Sequence, residues 1–169
     1  MKVFIAGARS IKTLSPEVKS KMMQIYDKGY DVIVGDCYGV DTSVQRFYSN
    51  LSYDKVIVYA SNGKARNNIG GWKVQGIITP KNVSGFEYYR QKDIAMANEA
   101  DYGFMIWDGE SKGTLSNIVT LISQDKKVLV YYNPSDKMVF IKNSDDLNKL
   151  IAHCPAPTQT LYTQISAFA

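Results

Sequence analysis

The sequence predicts an α/β fold in which helices cover both faces of a mainly parallel sheet. Strand and helix patterns alternate along nearly all of the 169 residues, and the strands are continuous Val/Ile/Leu-rich runs, which is typical of strands buried on both faces. With 45% hydrophobic residues, the chain is large enough to form one well-filled core. We therefore expect a single domain over residues 1–154 and a tail without regular structure over residues 155–169.

In the first half of the chain, the strands are separated by helices or by a glycine-rich loop. Ser15 and Pro16 form an N-cap and first-turn pair that begins a helix, and Gly29 ends it. The loop around Lys64 and Arg66 has the composition of a mobile segment. The elements expected here are strand 2–8, helix 15–28, strand 31–34, helix 41–49, strand 55–60 and strand 72–79.

The alternation continues through the second half and ends near Pro155 and Pro157. The elements expected here are helix 86–100, strand 102–107, helix 111–123, strand 127–132, a short edge strand 138–141 and helix 144–153. Together the two halves predict a three-layer Rossmann-like domain with a mainly parallel sheet. Ligands of such domains bind outside the carboxyl ends of the strands, where the strand-to-helix loops gather.

Composition narrows the classes of function. No apolar run reaches the ~20 residues of a membrane helix and no signal-peptide pattern is present, so we expect a cytoplasmic protein with reduced Cys37 and Cys154. The net charge is +4, but no segment pairs a dense basic run with aromatic residues. We therefore expect a small anionic ligand and do not expect a nucleic acid or a membrane as a partner. Because His153 is the single histidine, the sequence predicts no metal site and no cofactor.

Three glycine-containing loops follow strands at the predicted binding edge. Glycine lets a ligand approach the main chain, and a helix that begins just after the loop directs free N–H groups at the same space. The ligand-binding residues predicted in these loops are Gly7, Ala8, Arg9 and Ser10; Gly35, Asp36, Gly39 and Asp41; and Asp108, Gly109, Ser111, Gly113 and Thr114.

Polar side chains in these loops could bind the ligand or could only stabilise the local fold. The stretch from Ser111 to Thr114 suits a phosphate group, but Ser111 could simply cap the helix. Asp41 could likewise cap the helix that it begins. Asp36, at the tip of a strand, is better placed to accept hydrogen bonds from ribose hydroxyls or a base.

Two further arginines complete the predicted ligand site. Arg90 and Asp93 lie three residues apart and therefore on one helix face, so Asp93 could hold Arg90 against a phosphate, or the two could form a surface ion pair. Arg66, together with Lys64, could close over an anion or merely keep the loop soluble.

The order of these motifs resembles the SLOG superfamily, the Rossmann-like domains related to DNA-processing protein A and the lonely-guy phosphoribohydrolases, and particularly its small stand-alone bacterial and phage members. It is similar also to nucleoside deoxyribosyltransferases. The resemblance covers about residues 1–133. It implies a sensor or sequestering protein that binds a nucleotide or nucleotide-derived small molecule. A cyclic or ADP-ribose-derived signal is one ligand of this class. The motifs are residues 7–10, residues 35–41, the loop 63–67, Arg90-x-x-Asp93 before Ala100-Asp101, and residues 107–114.

The resemblance also implies two alternative functions. Enzymes of the group cleave or transfer at the N-glycosidic bond of a nucleoside or nucleotide with a glutamate, at a position where this chain has Asn117, and an amide cannot accept a proton. Asp93, Asp108 and Glu110 are substitute carboxylates, and we assign no catalytic residue. The second alternative is single-stranded DNA binding, by analogy with DNA-processing protein A.

Aromatic residues predict a homo-oligomer, a dimer or a larger assembly. The segments 86–89, 47–48 and 161–162 are richer in large apolar side chains than one small core requires, and tyrosine-rich surfaces are common at interfaces.

Overall fold

The structure, a computed structural model, describes residues 1–167 and confirms the predicted fold class. Seven strands form one sheet in the order β4-β3-β2-β1-β5-β6-β7, and six α-helices flank it. All neighbouring strands are parallel except β6 and β7. The strands are β1 (Lys2–Gly7), β2 (Asp31–Val34), β3 (Val56–Ser61), β4 (Lys73–Ile77), β5 (Tyr102–Trp107), β6 (Val128–Tyr132) and β7 (Lys137–Ile141), and the helices are α1 (Pro16–Asp27), α2 (Val40–Asn50), α3 (Gly85–Glu99), α4 (Lys112–Ser123), α5 (Ser144–Ile151) and α6 (Ala156–Ser166).

The core lies in two halves, one on each face of the sheet. Alternate residues of β1 point to opposite faces: Ile5 joins the cluster that contains Met22 of α1, while Phe4 joins the cluster that contains Met96 of α3 and Leu115 of α4. All five side chains are buried. Because each such burial stabilises the fold by about 1.5–3 kcal/mol, the continuous apolar strands account for the three-layer arrangement.

The strand order creates a crevice between β1 and β5. From β1 the chain moves outward through β2, β3 and β4, and α3 then carries it back to β5 on the other side of β1. At such a switch point, consecutive loops leave the sheet toward opposite faces and a space opens between them. The loops that follow β1 and β5 therefore border one cleft.

The loop between β3 and β4 is not the free segment that its composition suggested. Residues 62–72 join two parallel strands without a helix among them, yet they are tied to the β2–α2 region. The Gln45 side chain donates to the carbonyl of Asn67 at 3.1 Å and accepts from the N–H of Ile69 at 2.9 Å. Gln45 is buried, and these hydrogen bonds fix the path of the loop.

The expectation of an irregular C-terminal tail is wrong, because α6 forms over Ala156–Ser166. Pro155 and Pro157 lie at its beginning, where the missing N–H groups would have no helical partner in any case. The helix is held against the α3–α4 face by apolar contacts of Leu161 and Ile165. The hydroxyl of Thr158 also donates to the carbonyl of Gly109 at 2.6 Å.

The aromatic residues behind the oligomer prediction are partly used by the chain itself. Tyr48 is fully buried, while Phe47 and Tyr162 pack against the two core clusters. The prediction of a homo-oligomer therefore loses part of its basis and remains a prediction. Within residues 1–167, no helix combines the length and the apolar character needed to cross a membrane.

Candidate functional site

A cleft of about 490 Å³ opens at the carboxyl ends of β1 and β5. Its walls come from the loops after β1, β2 and β5 and from the first turns of α3 and α4. The cleft brings together the following residues from the predicted site: Gly7, Arg9, Ser10, Asp41, Arg90, Asp93, Asp108, Ser111, Gly113 and Thr114. The predicted residues Ala8, Gly35, Asp36, Gly39, Arg66, Gly109 and Glu110 are not among its lining.

The start of α4 forms one wall of the cleft. Ser111 is the N-cap of this helix, and its hydroxyl accepts from the Thr114 N–H at 3.4 Å and from the Thr114 hydroxyl at 3.1 Å. Among the described residues, the N–H groups of Lys112 and Gly113 have no protein acceptor. Ser111 therefore caps the helix, and two N–H groups without a protein acceptor remain at its positive end, so the phosphate interpretation stays a prediction.

Glycine has a different role in two of the loops. A Cβ atom on Gly113 would meet no atom within 4 Å, so this glycine leaves open space in the cleft. A Cβ atom on Gly7 would collide with the carbonyl oxygen of Ile106 and approach Cγ2 of Val40 at 2.7 Å. Gly7 thus permits close packing at the end of β1, whereas Gly113 keeps the main chain of α4 accessible.

Asp108 connects the loops on the two sides of the crevice. One of its carboxylate oxygens accepts from the N–H groups of Ser111 and Glu110 at 2.7 and 2.9 Å, and the other accepts from the Ser10 hydroxyl at 2.7 Å. Partial burial opposes ionisation, but these hydrogen bonds lower the pKa of Asp108 below its ordinary value. The carboxylate therefore positions the loops and has few lone pairs left for other chemistry.

Arg90 is directed at α4 and not at Asp93. Its guanidinium donates to Oδ1 of Asn117 at 2.9 Å and to the carbonyl of Ser116 at 3.2 Å, and it also contacts the hydroxyl of Thr120. The expected partnership between Arg90 and Asp93 is thus replaced by a link between α3 and α4. Asn117 is buried and serves as the acceptor for Arg90.

A buried ammonium group, which the sequence did not point to, lies at the base of the cleft. Nζ of Lys92 is 3.4 Å from Oδ1 of Asp93 and 3.6 Å from Oδ1 of Asp36, and only 3% of the side chain is exposed. Asp41 lies close by, where its carboxylate accepts from the Cys37 N–H at 3.1 Å and does not act as the N-cap of α2, which is Gly39. The sequence does indicate that a cation is needed, because buried acids after the strands require a counter-charge. It does not indicate which of the lysines supplies that charge.

Burial raises the pKa of two acids of this cluster, Asp41 and Asp93. It raises the pKa of Asp41 to about 6, against the attraction of Lys92 and the hydrogen bond from Cys37. Burial also raises the pKa of Asp93. The pKa of Lys92 is raised although burial opposes its charge, because Asp93, Asp41 and Asp36 attract the proton.

Asp36 is engaged by Arg66. The guanidinium of Arg66 donates to both carboxylate oxygens, at 2.7 and 3.2 Å, and the backbone N–H of Arg66 adds a third hydrogen bond at 2.9 Å. Although burial opposes ionisation, these bonds and the charge of Lys92 lower the pKa of Asp36. Asp36 is therefore an internal anchor for the β3–β4 loop, and its carboxylate does not border the cleft.

The cleft also contains an aromatic ring that our sequence analysis left out of the site. Tyr89 lines it, with the guanidinium carbon of Arg66 at 4.5 Å and that of Arg9 at 5.9 Å from the ring centroid. Both arginines also approach Sγ of Cys37, at 2.9 and 3.7 Å. Arg9 is exposed and makes no salt bridge within residues 1–167, so its charge is available at the mouth of the cleft.

Comparison with known proteins gives a structural likeness but no sequence relative. No family model and no curated protein matches the chain. Among solved structures, the chain is similar to DNA processing protein A from Helicobacter pylori, with a TM-score of 0.61 and 15% identity over 100% of this chain and 82% of that chain. The likeness shows the fold. A Rossmann-like fold is what the SLOG resemblance implied for this chain.

One sequence-based expectation is contradicted by this comparison. We did not expect nucleic acid as a partner, because basic and aromatic residues are not interleaved along the sequence. The structure of the Helicobacter pylori protein was described for its unique mode of binding single-stranded DNA. A protein of this fold therefore binds nucleic acid, and the expectation is withdrawn.

Proposed function

We propose that the cleft binds a nucleotide or nucleotide-derived molecule, with a phosphate group at the start of α4. One observation carries this proposal. Among the described residues, the N–H groups of Lys112 and Gly113 have no acceptor, and they lie beside the open space at Gly113. A helix N-terminus with free N–H groups and a glycine at its first turn is a favourable environment for an anion.

The remaining lining suits the other parts of a nucleotide. Arg9 adds an exposed positive charge, and the half-buried rings of Phe86 and Tyr89 add aromatic surface to the wall of the cleft. The volume of about 490 Å³ lies within the roughly 300–1,000 Å³ that is usual for small-molecule sites.

The environment of the polar groups supports binding over cleavage of an N-glycosidic bond. Asp108 accepts three hydrogen bonds from its neighbours, and Asp93 is paired with Lys92. Asn117 cannot act as a nucleophile or a base, and its oxygen accepts from Arg90. Asp41, a further carboxylate of the cleft, is buried and accepts from the Cys37 N–H.

The proposal is tested by isothermal titration of the protein with the common nucleoside monophosphates and with NAD-derived compounds. Gly113→Val adds a side chain to open space in the cleft and should weaken binding at least tenfold, about 1.4 kcal/mol or more. Arg9→Gln should weaken it less, and Arg46→Gln, which removes an equal charge outside the cleft, should leave it unchanged. Chromatography of the recovered compound shows whether a base has been released.

Full affinity of a folded Gly113→Val variant would exclude the start of α4 as the phosphate site. Release of a free base at a rate that depends on the protein would replace binding by hydrolysis as the function.

A second candidate function is binding of single-stranded DNA, with one nucleotide of the strand in the same cleft. The similarity in fold to the Helicobacter pylori protein, which was described as binding single-stranded DNA, favours it. In this case an oligonucleotide should bind more tightly than any mononucleotide and should compete with it, and its affinity should fall as salt rises. A mononucleotide that binds tightly and is not displaced by an oligonucleotide argues for the first candidate.

A further inference from the structure

A groove of about 440 Å³ lies between the beginning of α1 and the outer face of α2. We refer to it as the basic groove, because three of its lining residues are cationic. The loop before α1 contributes Lys12 and Leu14, the first turn of α1 contributes Lys19, and α2 contributes Arg46, Phe47 and Leu51 near its end.

The charges of the basic groove are of one sign. Lys12, Lys19 and Arg46 are exposed, and no carboxylate from the described part of the chain lines the groove. Within residues 1–167, none of the three takes part in a salt bridge. Like charges that converge without counter-ions attract a partner that carries several negative charges in a row.

The floor of the groove is apolar and contains an aromatic ring. Phe47 is partly buried, its ring centroid 5.2 Å from that of Tyr48 in an edge-on arrangement, and it packs against the core that contains Leu14. A positive groove with an aromatic ring on its floor matches the requirements of a single nucleic-acid strand, whose phosphates need cations and whose unpaired bases stack on rings. A duplex keeps its base faces inside the stack and could not use Phe47.

A short loop of the chain connects the cleft to the basic groove. Residues 9–12 run from Arg9, at the mouth of the cleft, to Lys12 in the groove. The carbonyl of Lys12 accepts from the Ser43 hydroxyl of α2 at 2.8 Å, and the N–H of Val40 donates to the carbonyl of Ala8 at 3.4 Å. These bonds hold the connecting loop on α2, so the cations at its two ends keep a fixed relation to each other.

We infer that the basic groove binds the sugar–phosphate backbone of a single DNA strand whose neighbouring nucleotide occupies the cleft. This inference rests on the second function proposed above. It assigns the phosphates outside the cleft to Lys12, Lys19 and Arg46, and one base to the ring of Phe47.

Fluorescence polarisation of a labelled twelve-residue oligo(dT) tests the inference. The triple variant Lys12→Gln, Lys19→Gln, Arg46→Gln is compared with a control triple, Lys127→Gln, Lys137→Gln, Lys149→Gln, which removes the same charge from exposed positions outside the groove and the cleft. The groove triple should weaken binding at least about tenfold at 50 mM salt and make the slope of log K against log salt shallower by about 2, since each phosphate contact on a single strand contributes about 0.7.

The Phe47→Leu variant separates base stacking from charge. It keeps an apolar side chain on the core and should weaken oligonucleotide binding about fivefold or more, with the salt slope unchanged.

Equal effects of the two charge triples would overturn the inference, because binding would then depend only on net charge. Absence of oligonucleotide binding, or equal affinity for a duplex of the same length, would overturn it as well. Titration with nucleoside monophosphates tests the nucleotide site of the cleft separately from the basic groove. The groove triple should bind a monophosphate as the parent protein does, whereas Gly113→Val should not.

Discussion

Replacing Asp41 by asparagine should stabilise the protein at neutral pH. Asp41 is 6% exposed, and its burial raises the pKa from 3.8 to about 6. Because one pKa unit corresponds to about 1.4 kcal/mol, keeping Asp41 ionised in the folded state at pH 7 costs about 3 kcal/mol relative to the unfolded chain. An asparagine keeps an oxygen that can accept from the Cys37 N–H but carries no charge to desolvate.

The effect has a defined dependence on pH. Between pH 3.8 and about 6, the folded protein holds a proton on Asp41 that the unfolded chain has lost, so the contribution of Asp41 to stability is greatest at low pH and falls as pH rises through this window. The asparagine side chain of the variant does not titrate. The difference in free energy of unfolding between variant and parent should therefore grow by about 2.4 kcal/mol from pH 4 to pH 7.

Urea denaturation of both proteins at pH 4, 5, 6 and 7 measures this difference, because the contributions of acids outside the Lys92 cluster are common to both. Asp125→Asn is the matched control, since Asp125 is exposed and the positive φ of 57° at this position is one that asparagine tolerates. A difference that stays constant with pH, or a variant less stable than its parent at pH 7, would refute the reasoning. In the second case the attraction of Lys92 for ionised Asp41 would exceed the cost of burial.

Four further substitutions test other parts of the site. Lys92→Met should destabilise the protein by about 3–5 kcal/mol at pH 7, because it leaves buried carboxylates without their cation. This loss of stability should be smaller at pH 4. Urea denaturation at pH 7 and at pH 4 measures both. Gly7→Ala should lower stability by about 1–3 kcal/mol or prevent folding, because the added Cβ atom collides with neighbouring atoms. Gly113→Ala should be neutral or slightly stabilising, because its Cβ atom meets open space. Thermal melting of the two variants checks this contrast. Arg90→Ala should cost about 1–3 kcal/mol by leaving the buried Asn117 oxygen without its donor, which chemical denaturation measures; an unchanged free energy of unfolding would contradict the link between α3 and α4.

Much of the fold was predictable because the deciding signals are local. The apolar runs of β1 and β5, the cap formed by Ser15 and the glycine that follows α1 each act within a few residues, and the parallel sheet follows from the way strands and helices alternate. The helix α6 was missed for a local reason too. The predicted irregular tail begins near Pro155 and Pro157, although prolines at the first positions of a helix are compatible with it.

The candidate site was predictable only as a set of loops. Parallel strands bring the loops after β1, β2 and β5 to one edge whatever their side chains are, so Arg9, Asp41 and Gly113 could be expected near one another. The partner of each side chain is a tertiary property. Nothing in the spacing of Arg90 and Asp93 indicates that the first bonds to α4 and the second to Lys92.

The basic groove shows why a search along the sequence does not find cations that the fold brings together. The residues Ser43, Arg46, Phe47 and Asn50 follow helical spacing and all face the groove, so the sequence could have shown that Arg46 and Phe47 share a face of α2. It could not show that Lys12 and Lys19 lie opposite them, because that depends on how α1 and α2 pack on the same side of the sheet. One face of a helix can present a cation only every three or four residues. A surface built from two helices and a loop can therefore be strongly basic although no continuous stretch of the sequence is strongly basic. The even scatter of lysine and arginine along this chain is thus compatible with a concentrated positive field on the folded protein, and oligonucleotide binding by the groove triple is the measurement that tests it.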